Sequence, residues 1–157
     1  MTGVDLAFVA REARRLSGAG LRLTPWRALL FPGLDAGGAQ AISETLTRRG
    51  FLLDPADPRL SVVACSGAPK CANAARAVQI EALQLAPLLP GGGGIVLHVS
   101  GCEKGCAHGR AAPVTLVARA GGYDLVVDGK ASDRPVRQGL TIEAAASLLT
   151  QTYGGAG

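Results

Sequence analysis

The sequence predicts an α+β fold in two small layers. Three observations lead there. Segments alternate as helix, two short extended pieces and helix, and then as strand, helix, strand, hairpin and helix. Apolar residues make up 48% of the 157 positions but aromatics only 4%, so the core must be built from Leu, Val, Ile and Ala. Charged residues are only 18%, which argues against disorder.

Taken in order, residues 4–17 set Leu6, Val9, Ala10, Ala13 and Leu16 on one helical stripe, ended by Gly18 and Gly20. Residues 21–34, LRLTPWRALLFPGL, read as two short extended pieces with Pro25 bending the chain between them. Asp35 is the expected N-cap of a helix over 36–49 that turns Ile42 and Leu46 inward, and Gly50 its left-handed stop. The acidic, Pro-rich 54–60 marks a junction between two subdomains.

Residues 60–64 predict a buried strand that delivers Cys65. A helix is expected after Cys71, with Ala75, Val78, Ala82, Leu85 and Leu89 inward. PGGGG at 90–94 is a connector; no Gly-Lys-Ser/Thr follows it, so it is not a phosphate loop. Residues 95–100 predict the strand that delivers Cys102, 113–131 a hairpin turning at Ala120–Gly122, and 142–153 a helix capped by Thr141. Glycines close the chain, and no repeat of solenoid length is present.

The formal charge of +4 comes from scattered residues, mostly Arg, without interleaved aromatics, so no nucleic-acid partner is expected. The N-terminus is charged within its first turns and no apolar run reaches the ~20 residues of a membrane span. The expectation is a cytoplasmic protein with no membrane partner, where four cysteines suit metal binding better than disulfides.

All four cysteines lie in two pieces, Cys65-x5-Cys71 and Cys102-x3-Cys106. Each pair sits just past a predicted strand in a Gly-containing loop. Two such loops can spread four thiolates around a cubane cluster. Gly67, Gly101 and Gly105 leave room for an inorganic core and let backbone N–H groups point at sulfur. Lys70 and Lys104 could offset its charge. The x5 loop is long for a zinc knuckle, and no C-x-x-C redox motif is present. The spacing therefore favours an iron–sulfur cluster, with a structural zinc site and two disulfides as open alternatives.

C-x5-C followed by G-C-x3-C resembles the cluster motif of the sirohaem-dependent sulfite and nitrite reductases. ACSGAPKC, LHVSGCEKGCAHGRAAPVTLV and GGYDLVVDGKASD look like the precorrin-3B synthase branch of that superfamily, and LRLTPWRALLFPGL looks like the ferredoxin-like half-domain that precedes its cluster domain. The resemblance implies a ferredoxin-like half-domain over 1–59 and a nitrite/sulfite reductase-like [4Fe–4S] domain over 60–157. It matches only the C-terminal half of the family's pattern, which implies a fragment, a split subunit or a truncated product.

The implied cofactor is a [4Fe–4S] cluster on Cys65, Cys71, Cys102 and Cys106, with sirohaem or a mononuclear iron as a further centre; Cys106 would bridge to a sirohaem. The implied activity is that of an oxidoreductase performing oxygen-dependent hydroxylation and lactone formation on precorrin-3A, in aerobic cobalamin biosynthesis. The implied partners are a tetrapyrrole and a missing N-terminal half or electron donor. A sirohaem reductase fragment and a non-catalytic electron-transfer module are the alternative readings. No catalytic residue is assigned. Arg27 and Arg110, and less readily Arg22, are candidates to bind tetrapyrrole carboxylates. His108 is a candidate iron ligand or proton relay, against a solvated loop histidine. His98 is expected to be packed or hydrogen-bonded, and Trp26 to lie in the core unless it lines a tetrapyrrole face.

Overall fold

The computed structural model describes residues 3–154; the opening Met1 and the closing Gly155 and Gly157 lie outside them. The chain forms two units, Met1–Leu53 and Asp54–Gly157. Each has its own core.

In the first unit, α1 (Gly3–Ser17) buries Val9 and Ala13 completely along the expected stripe. Two-residue strands β1 (Arg22–Leu23) and β2 (Leu29–Leu30) pair antiparallel, Arg22 opposite Leu30. The turn between them is closed by the Thr24 amide and hydroxyl, which donate to the Ala28 carbonyl at 3.1 and 3.0 Å. Trp26 stands on this turn and is 79% exposed, so the expectation of a core tryptophan is corrected: the turn is too tight to fold its largest side chain back onto α1. Helix α2 (Ala36–Arg48) begins as its sequence predicts, with the Asp35 carboxylate accepting the Gly38 N–H at 2.7 Å. Ile42 and Leu46 from its inner face meet Val9, with Phe8, Leu34 and Phe51 around them.

The second unit starts with the acidic turn, at Asp54. Its residues Pro58–Ser61 form a 3₁₀ turn capped by Asp57, and the Ser61 hydroxyl donates to the Pro90 carbonyl at 2.6 Å. Residues 54–60 thus belong to the second unit. Five strands form one mixed sheet in sequence order: β3 (Val62–Ala64), β4 (Leu97–Ser100), β5 (Ala112–Arg119), β6 (Gly122–Gly129) and β7 (Arg137–Leu140). β3, β4 and β5 run parallel, β6 runs antiparallel to β5, and β7 antiparallel to β6.

Strand side chains alternate between faces. Leu97, Val99, Leu116, Ala118, Tyr123 and Leu125 join Val78, Ala82 and Leu85 of α3 (Val78–Leu85) and Ala145 and Leu149 of α4 (Ile142–Tyr153) in one core. The opposite parity places His98, Ser100, Thr115 and Asp124 together; all four are buried and polar. Thr141 caps α4 through its hydroxyl, as its sequence predicts.

Three expectations are corrected. The strand ahead of Cys65 begins at Val62, because Leu60 and Ser61 belong to the 3₁₀ turn. The helix after Cys71 begins only at Val78, and Ala75 is exposed: the Ala75 N–H donates to the Gly101 carbonyl at 3.0 Å, which pulls this stretch across to another loop and out of helical geometry. β7 has no counterpart among the expected strands, because it is short, mostly exposed and interrupted by Gly139. Among the described residues, no helix is long and apolar enough to cross a membrane.

Candidate metal centre

β3 and β4 are parallel neighbours, with Val63 opposite His98 and Ala64 opposite Val99. Their C-terminal ends therefore lie side by side, and each releases a cysteine loop. All four cysteines line one cavity of about 160 Å³, with Ser100 and Lys104 among the other walls. Cys65, Cys71 and Cys102 are half-buried, Cys106 is exposed, and all four are free thiols.

The first loop turns at Gly67, whose φ of 64° lies in the left-handed region. A Cβ there would sit 2.9 Å from the Val78 backbone nitrogen. The Cys71 N–H donates to the Gly67 carbonyl at 2.8 Å, and the Ala68 N–H to the Arg76 carbonyl at 2.9 Å. In the second loop, the Ser100 hydroxyl donates to the Cys102 carbonyl at 2.7 Å. The Gly101 N–H donates to Cys65 Sγ at 3.2 Å, joining the two loops at sulfur. A Cβ on Gly101 would lie 2.6 Å from the Ala74 methyl and 3.2 Å from that sulfur. The glycines thus serve contact between the loops as much as space for a guest.

A single tetrahedral metal ion gathers its thiolates at about 2.3 Å. Among the described residues no group of three or more His, Cys, Asp or Glu side chains is placed to hold a metal ion, which does not separate a single ion from a cluster. A cubane instead takes one thiolate at each of four corners of a larger body. Two cysteine pairs around a shared cavity, with an N–H already aimed at one sulfur, fit that requirement.

Three side-chain groups surround the loops. Arg76 forks onto Glu81, with Nη2 at 2.6 Å and Nε at 3.1 Å from Oε1, and the buried Tyr123 hydroxyl donates to Oε2 of the same carboxylate. Burial works to raise the Glu81 pKa, but these bonds outweigh it and hold the carboxyl below its ordinary value. Burial, then Glu81, pushes the Tyr123 phenol up. Arg119 Nε donates to the buried Asp124 at 2.8 Å, and its Nη1 lies 3.8 Å from Glu103. Its pKa is raised first by Asp124, with smaller contributions from Glu103 and Cys102.

His98 is fully buried, and neither ring nitrogen has a hydrogen-bond partner among the described residues. Its ring meets that of His108 edge-on, centroids 5.8 Å apart. Burial, helped by His108, lowers the His98 pKa to about 4. His98 is thus packed, as the sequence suggests, without the hydrogen bond that was the other option.

The structure brings the four cysteines and Lys104 together. Half-buried His108 turns to His98, and Lys70 and Arg110 are exposed. Arg22 and Arg27 belong to the first unit, both exposed, Arg27 with a φ of 60°. Sequence reasoning missed Arg76, Glu81, Tyr123, Arg119 and Asp124. Only the Arg119–Asp124 pair left a trace, as opposite charges flanking the hairpin turn. Nothing local ties Tyr123 to Glu81, 42 residues away.

No family model matches the chain. The mixed-sheet α+β fold resembles that of the Mycobacterium tuberculosis NirA protein, with a TM-score of 0.71 at 20% identity, over 94% of this chain and 31% of that one. With its sequence likenesses, this places the chain in the nitrite/sulfite reductase superfamily. Within that superfamily it is similar to precorrin-3B synthase of Sinorhizobium sp, 33% identical over 132 residues, which are 83% of this chain and 29% of that protein. It is also similar to the sulfite reductase [NADPH] hemoprotein beta-component of Vibrio cholerae, 28% identical over 81% of this chain and 24% of that protein. The chain therefore spans less than a third of the length of the relatives it matches.

Proposed function

We propose that this chain is the cluster-binding part of an iron–sulfur oxidoreductase of the precorrin-3B synthase kind, acting on a tetrapyrrole in aerobic cobalamin biosynthesis by oxygen-dependent hydroxylation and lactone formation on precorrin-3A. The observation that carries this reading is the cavity at the ends of β3 and β4, lined by all four cysteines. Cys65, Cys71, Cys102 and Cys106 would hold a [4Fe–4S] cluster, which would supply one-electron transfer. Gly101 would keep its N–H on the Cys65 sulfur, one of the levers on cluster potential. Lys104 on the cavity wall would offset negative charge. Free thiols suit a reducing compartment such as the cytoplasm.

The first unit would be the ferredoxin-like half-domain, whose Arg27 is by itself a candidate to bind a tetrapyrrole carboxylate; in the second unit, Arg110 and His108 would be contacts for the tetrapyrrole. Complete turnover would need the remaining segments of the relatives' length, in the same polypeptide or in a partner, together with an electron donor.

Anaerobic reconstitution with iron and sulfide tests the centre: about four of each per chain and a brown colour are expected. One tightly held zinc and no sulfide would overturn it. The likeness to hemoproteins named sulfite reductase supports a second reading, a sirohaem reductase segment. Stoichiometric sirohaem uptake, seen as haem absorption bands, with no binding of precorrin-3A would select it.

A further inference from the structure

We propose that Glu81, gripped by Arg76 and Tyr123, is a positioning residue that sets how the two cysteine loops sit against each other. The inference deepens the cluster reading and gives it a mechanical basis, but its geometry stands on the polypeptide alone.

Residues 72–77 form no helix or strand, yet this stretch touches both loops. The Arg76 carbonyl accepts the Ala68 N–H of the first loop at 2.9 Å, and the Ala75 N–H reaches the Gly101 carbonyl of the second at 3.0 Å. An irregular stretch can hold two loops in register only if it is itself held. The anchor is the Arg76 side chain. Its guanidinium forks onto Glu81, and the carbon at the fork's centre lies 5.4 Å from the centroid of the Tyr123 ring. Glu81 sits in the first turn of α3, and Tyr123, fully buried on β6, donates its hydroxyl to the same carboxylate. The chain of contacts runs from the sheet core through Tyr123, Glu81 and Arg76 to both loops.

Two features argue that this clamp is not there for helix stability. Glu81, in the first turn of α3, suits the helix dipole, but Arg76 lies just ahead of the N-terminus, where a positive charge opposes it. The Arg76–Glu81 spacing of five residues is not one that places side chains together on a helix. The pair is also partly buried, with side-chain exposures of 32% and 17%, so its bonds are worth more than those of a surface pair. Neither Arg76 nor Glu81 lines the cysteine cavity. They act on the sulfurs only through the backbone they hold.

The test compares Arg76→Gln, Arg76→Lys and Tyr123→Phe in the full chain by amide hydrogen exchange without metal, and by the electron paramagnetic resonance of the reduced, reconstituted protein. Tyr123→Phe keeps the core filled and removes one hydroxyl, so it decides the matter even if Arg76→Gln folds poorly. Expected in Arg76→Gln and Tyr123→Phe is about tenfold faster exchange at Ala68 and Ala75, the scale of one lost charge-assisted bond. Leu116 and Leu125 in the central strands should stay unchanged, and the resonance should shift or broaden, with Arg76→Lys recovering part of both. Unchanged exchange at Ala68 and Ala75, or acceleration shared equally by the whole sheet, would overturn the proposal. If the parent takes up no iron and sulfide, the cluster reading fails, and the exchange measurements still decide the clamp.

Discussion

The two cysteine loops reach the same cavity by different routes. The Cys102–Cys106 loop is short and leans on its own strand: Ser100, the last residue of β4, bonds the Cys102 carbonyl, and Gly105 packs near His98 of the same strand. The Cys65–Cys71 loop is longer, carries a cis Ala68–Pro69 peptide and owes its position to partners far along the chain. It is tied to Arg76, and through Glu81 to Tyr123 on the far side of the sheet unit. The clamped stretch touches both loops, but the second has the end of its own strand to lean on as well, whereas the first relies chiefly on the clamp. Errors in the core should therefore reach Cys65 and Cys71 before they reach Cys102 and Cys106.

The largest effect is expected at the sulfurs. In the cluster reading, Cys65→Ser removes a thiolate ligand and exchanges the sulfur that accepts the Gly101 N–H for a hydroxyl of shorter reach. Iron and sulfide content after anaerobic reconstitution should drop well below the about four expected of a complete cluster. Cys106→Ser, at the exposed corner, should lower it too while leaving the contact between the loops intact. Equal loss of urea stability in both variants without metal would contradict the special role of Cys65.

Next come the glycines at the two loop turns. Gly67→Ala must place a methyl 2.9 Å from the Val78 backbone nitrogen at a φ of 64°. Backbone cannot yield cheaply, so the expected cost is about 2–4 kcal/mol, strain and overpacking together. Gly105→Ala has a similar φ but meets mainly the Ala131 methyl at 3.1 Å, for about 1–2 kcal/mol. Urea midpoints at constant m-value give both numbers, and the reverse order would refute the difference drawn between the loops.

His98 predicts a pH dependence carried by the second loop's support. Its pKa is about 4 in the fold against ~6.5 unfolded. Between those values the unfolded state binds the extra proton, so stability is full above about pH 6.5 and falls on acidification toward pH 4. The loss should approach about 2–3 kcal/mol, read as the difference between the parent and His98→Leu across that window. Parallel pH profiles for the two proteins would show that His98 does not carry it.

The smallest change is Glu103→Gln. That carboxylate is 72% exposed and lies 3.8 Å from Arg119, which keeps its bond to Asp124. The stability change should stay within about 0.5 kcal/mol. A larger loss would mean that the second loop depends on the Glu103 carboxylate as well as on its strand.

What could be read from the sequence obeys the same division. The Asp35 and Thr141 caps, the β5–β6 hairpin and the pairing of cysteines past two strands are local patterns, and all were legible. The start of α3 was not, because residues 72–77 look helical in composition but answer to Gly101. β7 was not, because an exposed edge strand needs no alternation of apolar side chains. Trp26 misled for the opposite reason: burial is a tendency of the residue type, and a tight turn overrode it. The Arg76–Glu81–Tyr123 clamp joins three positions that only the folded sheet brings together.

The parallel pairing of β3 and β4 has a consequence for the life of the newly made chain. A hairpin such as β5–β6 can close within microseconds of its synthesis, but parallel neighbours wait for the connection between them. Cys65 precedes Gly101 by 36 residues, which at ribosomal speeds of 5–20 residues per second is roughly 2–7 s. During that interval the first two thiols are outside any shelter while the last two do not yet exist. In the cluster reading, a cofactor held by all four thiols could be loaded only after residue 106 has been translated.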